Sequence, residues 1–326
     1  MSATPAPVPA ARIRSLFTAM AGLCWVAQFF SVETVAPQVA PLFQATVAAA
    51  TAMLALWFWT RLRGIALFAQ GASLPVALWG GMLFAVQWGC LYLAVARAPA
   101  LDVAVDYGAV AYLTLGLLPS ARGARLSRIV RPSWGRRLGC LSPALAAAAL
   151  LAWRGADRGN ISASLLTLAA AVSFALDAGL IRQGGMQGED TLRWRFYQLC
   201  VAALLLPMVA VMFSPTWNFA PGPGGLGAIA LQALCGGLAL PVLRAVALLR
   251  SDDPREAAAG AAGLGLLAAP LWIVGLALAA GMAGLASPPD RVQLAAAAAL
   301  LLAAWCRWQR GRRARVSPAM PAAGGN

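Results

Sequence analysis

Residues 15–32 read SLFTAMAGLCWVAQFFSV, eighteen positions without a charge. A helix that is apolar on every side belongs in a core or a bilayer, and about 20 such residues cross the hydrocarbon layer. The stretch has a partial copy downstream. Residues 164–177, SLLTLAAAVSFALD, repeat 15–28, SLFTAMAGLCWVAQ, at an offset of 149 residues. Ser15, Leu16, Thr18 and Ala21 recur as Ser164, Leu165, Thr167 and Ala170. Cys24-Trp25 becomes Ser173-Phe174, and Gln28 becomes Asp177.

The rest of the chain has the same character. Of its 326 residues 61% are hydrophobic and 11% charged, against about 25% charged in a soluble domain. Such a chain cannot cover itself with polar surface in water, but it can face lipid. Apolar stretches bounded by Arg, Pro, Gly or acidic residues give ten expected spans: 15–32, 39–60, 74–96, 101–118, 138–153, 162–181, 196–213, 226–249, 257–281 and 291–306. Continuous apolar runs of this length are expected to be helices, because lipid offers no partner to an open backbone group.

All 25 basic residues are arginine, and their positions orient the map. With both termini cytoplasmic, 20 of the 25 fall in the N-terminal tail, the inner loops and the C-terminal tail. Arg97, Arg154, Arg158 and Arg291 lie outside, and Arg244 lies within the eighth span. That is a positive-inside bias, and an odd number of spans would split it. Trp57, Trp59, Trp134, Trp153, Trp194, Trp217, Trp305 and Trp308 lie near span ends, as an aromatic belt requires. The matched segments pair the first span with the sixth. Five spans per half is odd, so two such halves insert with opposite orientation, the inverted repeat of many secondary transporters. The expected organisation is all-α integral membrane: a disordered tail at 1–11, five-helix repeats at 12–157 and 158–306, and a basic, disordered tail at 307–326.

These features resemble the EamA-type exporters of the drug/metabolite transporter superfamily. Residues 21–30, AGLCWVAQFF, look like that family's opening helix with its mid-span Trp. Residues 169–183, AAAVSFALDAGLIRQ, look like the helix opening its second half. Residues 236–250, GGLALPVLRAVALLR, are similar to its eighth span. The resemblance covers about 15–306. It implies a secondary carrier, an exporter of small metabolites, amino acids or drug-like solutes, working by alternating access at a midplane site; the all-Arg usage and high Ala content point to a GC-rich bacterium and hence its inner membrane. The family's Gly-Glu pairs after spans 4 and 9 are replaced by LLPSARG at 117–123 and AAGMAGL at 279–285. A non-transporting scaffold or decayed paralogue is therefore the alternative.

Absent residue types narrow the chemistry. There is no His and no Lys, which excludes a Ser-His-Asp triad, an imidazole metal site, a Schiff-base lysine and a Walker-A loop. The six cysteines form no C-x-x-C pair and fall in or beside apolar segments, so buried thiols are expected, without metal or cofactor. The net charge of +14 lies beside apolar spans, not on an aromatic-interleaved basic face, so lipid rather than nucleic acid is the expected partner. Monomer and homodimer both fit. With few polar groups at any one depth, an enzyme is not expected.

Ionisable groups inside lipid cost several kcal/mol unless they are paired or face water. Asp177 and Arg244 sit at similar expected depth, about 7.5 and 9 Å from the cytoplasmic end. They form either a structural ion pair or a gate whose Arg takes a substrate carboxylate. Asp102 and Asp106 share a face of the fourth span. A desolvated Asp106 would take up a proton near neutrality, whereas a later span start would leave it in water. Trp25, Gln28, Gln87, Trp88, Tyr107 and Tyr112 are mid-span polar or aromatic residues suited to line a central cavity.

Overall fold

Prolines set where several helices begin. Pro41 and Pro223 occupy the first turn of their helices, where the missing N–H has no partner to lose. The computed structural model describes residues 10–67, 74–117, 160–184, 189–213, 220–240 and 290–316, with isolated helical residues at 142, 145, 146, 149, 153, 242, 243 and 274. Every regular element among them is helical: α1 (Ala10–Val35), α2 (Pro41–Leu62), α3 (Leu74–Val95), α4 (Ala100–Leu117), α5 (Ile161–Gly184), α6 (Glu189–Phe213), α7 (Pro223–Gln232) and α8 (Arg291–Val316). A π-helical turn, Ala233–Ala239, continues α7. The expected spans 138–153 and 257–281, and Arg244, lie outside the described residues apart from isolated positions.

Four helices are long and apolar enough to cross a membrane: Pro41–Leu62, Pro75–Val95, Ile161–Ile181 and Asp190–Met212. Shorter apolar helices cover Ala19–Val35, Pro223–Ala239 and Arg291–Ala303. The distribution of side chains carries the same message. Trp79 is 63% exposed and Leu204 70% exposed, while Gln28, Gln44, Gln87, Gln198 and Gln232 are buried. A water-soluble core has the opposite arrangement. Apolar side chains outside and hydrogen-bonded amides inside are what a hydrocarbon solvent selects, and they mark a membrane protein.

Packing follows a crossed pattern. α3 lies against α5 and α6, while α7 with its π turn lies against α1 and α2; α2 packs on α6, and α4 on α5. Small residues permit close approach. A Cβ added at Gly81 of α3 would come within 2.6 Å of Val201 of α6, and one at Gly80 would strike the Trp194 ring. α2 ends at Arg63, followed by Gly64 at φ +68°, a left-handed conformation that glycine adopts without cost.

The helices run between two ends. The proline end gathers the 36–40 and 96–99 turns, Pro221 and the starts of α5 and α8. There Asn160 Nδ2 donates to the Arg97 carbonyl (2.5 Å), Gln293 Nε2 donates to Asp102 Oδ1 (2.7 Å), and the Ala100 N–H donates to Glu33 Oε1 (3.3 Å). Asp290 and Gln293 bond reciprocally, Gln293 N–H to Asp290 Oδ1 at 2.9 Å and Asp290 N–H to Gln293 Oε1 at 3.0 Å, a capping box that starts α8. The arginine end gathers residues 61–67 and the start of α6. There Arg193 Nε donates to the Ala66 carbonyl (2.7 Å) and pairs with Asp190 (2.9 Å), and Tyr197 OH donates to the Leu67 carbonyl (3.3 Å).

Candidate functional site

Five helices turn one face each toward a shared cavity. α1 contributes Ala21, Trp25 and Gln28; α3 contributes Phe84, Gln87 and Trp88; α5 contributes Phe174, Asp177 and Ile181. α6 adds Thr191, Trp194, Arg195 and Gln198; the π turn adds Gly236, and Leu240 and Leu243 follow it. Apart from the adjacent pairs 87/88 and 194/195, the spacings within each of α1, α3, α5 and α6 are three or four residues, so each set lies on one side of its helix. The cavity between them is about 90 Å³ and opens at its mouth into solvent.

Polar groups form a connected line along this wall. Asp177 Oδ1 accepts from Gln198 Nε2 at 2.6 Å and from Trp194 Nε1 at 3.3 Å. Gln198 Oε1 accepts from Arg195 Nη1 at 3.1 Å. One amide thus bridges a carboxylate and a guanidinium. Arg195 reaches on to α7, donating from Nη2 to the Gly236 carbonyl (2.6 Å) and from Nε to the Gly237 carbonyl (3.3 Å). Its guanidinium lies 3.8 Å over the Phe84 ring and 5.9 Å from that of Trp88, a cation–π seat that offsets its desolvation.

The π turn is held closely on its other side. A Cβ at Gly236 would displace the Gln28 amide, and one at Gly237 would strike the Ala52 Cβ, so glycine at 237 lets the π turn approach α2 this far. The Cys24 and Cys235 thiols lie near each other across the same contact. Gln28 Nε2 donates to Tyr92 OH at 2.9 Å. Gln28 Oε1 and Thr191 Oγ1, on residues 1% and 3% exposed, have no hydrogen-bond partner among the described residues. Buried polar atoms left unpaired cost roughly 1–3 kcal/mol each. Both belong to residues of the cavity wall, where a solute can satisfy them.

No protein-family model matches the chain, and no curated protein matches it. A solved structure described only as "Crystal structure of protein" matches at a TM-score of 0.61 and 18% identity, covering 92% of this chain and 98% of that one. The likeness is one of fold.

Five of the residues singled out from the sequence meet in this wall: Trp25, Gln28, Gln87, Trp88 and Asp177. Tyr107 stands behind it. Its hydroxyl accepts from Gln87 Nε2 (2.8 Å), and its ring is 5.4 Å from Trp25 and 5.9 Å from Phe174. Tyr112 is elsewhere, donating from its hydroxyl to the Ala303 carbonyl of α8 (3.3 Å). Asp106 is half-buried on α4 and is not part of the wall. Arg195, Trp194 and Thr191 were not singled out for this site, because the seventh span is expected only from residue 196. α6 begins about two turns earlier, at Glu189. Two acids in its first turn suit the positive end of the helix dipole, and its arginines find carbonyl acceptors, so the charged segment is helical too.

Proposed function

We propose that this chain is a secondary carrier that moves small amphipathic metabolites, amino acids or drug-like solutes, by alternating access through this cavity. The observation that carries the reading is the meeting of equivalent positions from the two matched segments. Trp25 and its counterpart Phe174 lie 6.0 Å apart, edge to face, and Gln28 and its counterpart Asp177 line the same cavity. A midplane site built from corresponding helices of two halves is the expected product of an inverted repeat. The crossed packing agrees: α3 meets α5 as α7 meets α1, and α3 meets α6 as α7 meets α2. The cavity chemistry suits such solutes, with aromatic faces for an apolar body and an acid, a guanidinium and an orphan amide oxygen for polar groups.

On this reading the arginine end faces the cytoplasm, following the positive-inside rule. The cavity reaches from mid-helix toward that end, and the proline end is the closed outer side. The protein then stands inward-facing in a bacterial inner membrane, with ten spans in two inverted five-helix repeats. Asp177, and Asp106 on α4, are the groups able to carry a coupling proton.

The test is flux from proteoliposomes loaded with a mixture of amino acids and common metabolites, read by mass spectrometry. We expect selective loss of one solute class through the wild type and a much slower loss through Asp177→Asn. If every solute leaves at the rate of empty vesicles, the carrier reading is wrong. Flux of that solute class that ignores a proton gradient in the wild type rejects coupling alone.

A further inference from the structure

We propose that Arg195 binds the carboxylate of the solute, and that it does so by exchanging the Gly236 and Gly237 carbonyls for the solute's oxygens, which frees the π turn of α7. The inference rests on the carrier reading only for its use in transport. The binding itself is a property of the cavity.

Three observations lead to it. First, among the contacts that hold the guanidinium, three are to neutral acceptors: two backbone carbonyls and the Gln198 amide. A planar guanidinium forms stronger, bidentate bonds with a carboxylate than with carbonyl oxygens. A carboxylate entering the cavity therefore has an advantage over the glycine carbonyls. Second, those carbonyls belong to a π-helical turn, Ala233–Ala239. Such turns are less regular than α-helix and recur at functional positions. Arg195 thus holds the most changeable stretch of α7, across the interface between α6 and α7. Third, Gln28 Oε1 is buried, unpartnered among the described residues and placed against Gly236. A solute whose carboxylate meets Arg195 lies near this acceptor, and an N–H donor on the same solute would satisfy it.

Together these define the ligand as a small carboxylate with a nearby N–H donor and an apolar or aromatic remainder that packs on Trp25, Trp88 and Phe174. They also define a coupling. A solute lacking the carboxylate can occupy the aromatic part of the cavity, but it leaves Arg195 on the glycine carbonyls and the turn closed.

The experiment uses the full chain in lipid nanodiscs and two matched probe pairs: phenylalanine with phenylalaninamide, and hippurate with hippuramide. Binding is read from tryptophan fluorescence, because Trp25, Trp88 and Trp194 line the cavity. Release of the turn is read from backbone hydrogen exchange across residues 232–240. We expect at least one acid to bind about ten-fold tighter than its amide, the difference between a charge-assisted and a neutral hydrogen bond. We expect faster exchange in 232–240 with that acid and not with its amide. Arg195→Gln should lose the preference for the acid while still binding the amide, which distinguishes a lost contact from a lost fold, and Arg195→Lys should keep part of the preference. Equal affinity of acid and amide in both pairs, an acid preference that survives in Arg195→Gln, an exchange rate indifferent to the acid, or no binding by any of the four probes would each overturn the proposal. The carrier reading fails separately, if acids bind with this preference and no solute crosses a vesicle wall.

Discussion

The two ends of the molecule are bonded differently. At the proline end, contacts run around the bundle: Asn160 to Arg97 joins the start of α5 to the α3–α4 turn, Gln293 to Asp102 joins α8 to α4, and deeper in, Gln232 to Gln44 joins α7 to α2. At the arginine end, Arg193 and Tyr197 tie α6 to the 66–67 segment on one side. On the other side α1, α3, α5 and α6 stand around the cavity. The bundle is thus bonded around its circumference at one end and opened by a cavity at the other, where Asp177, Gln198 and Arg195 still link α5, α6 and the π turn. On the carrier reading proposed above, this arrangement has to reverse, which requires each fastening to be weak enough to break. Individual hydrogen bonds, worth about 1 kcal/mol net and somewhat more where Asp102 or Glu33 accepts, meet that condition, and they stand beside the small apolar cluster of Val35, Val39 and Ile229 at the same end.

The comparison can be broken most severely by joining its two sides covalently. Cys24 of α1 and Cys235 of the π turn are neighbours. Diamide, which takes two electrons and two protons from a thiol pair, is expected to link them and to stop solute flux. Dithiothreitol should restore it, and Cys24→Ser should be immune. The linked peptide is read by mass spectrometry after non-reducing digestion, and its absence would mean that α1 and the π turn do not meet at these cysteines. Next in size is Gly236→Val, whose branched side chain would strike the Gln28 amide. We expect a loss of about 1–3 kcal/mol of stability, as for other overpacked sites, seen as a lower melting temperature in detergent. An unchanged melting temperature would mean that α7 does not press on α1 this closely.

Asp177→Asn sharpens the comparison at the opened end. Asparagine keeps an oxygen for Gln198 and Trp194, so folding should persist, but neutral acceptors are weaker by an amount worth about ten-fold in flux. Undiminished flux would show that the carboxylate charge is not used. The smallest effect is expected at the fastened end. Asn160→Ala removes the bond to the Arg97 carbonyl, about 1 kcal/mol or five-fold in the population of an outward-open form. The check is the alkylation rate of a cysteine introduced at Ala98, and a rate unchanged within two-fold would deny that this bond keeps the outer side shut.

The apolar helices were legible from the sequence because lipid imposes a simple rule on length and polarity. The same rule exposed the mid-span oddities Trp25, Gln28, Gln87, Trp88 and Asp177. It could not find Arg195. An arginine beside an apolar run has two meanings, topology signal or cavity wall, and only the position of the helix start separates them. α6 begins at Glu189, which brings residues 191, 194, 195 and 198 onto one face with Asp177. Nor does a run such as ALCGGLA at 233–239 announce a π turn. That turn depends on what Gly236 and Gly237 touch, which includes residues near positions 28, 52 and 195 of the chain. Asp106 illustrates the reverse case: an acid in an apolar stretch stands out in sequence, yet it lies on α4 away from the wall.

The π turn carries a mechanical consequence. A π-helical segment winds more residues into each turn than an α-helix does. If it tightens to α-helical winding by one residue, everything beyond it is re-phased by about 100° and shifted by about 1.5 Å. Leu240 and Leu243, which close one side of the cavity, would then swing to a different face. α7 is in this sense a threaded rod with a loose thread after Gln232, and Arg195, bonded to Gly236 and Gly237, is its set screw.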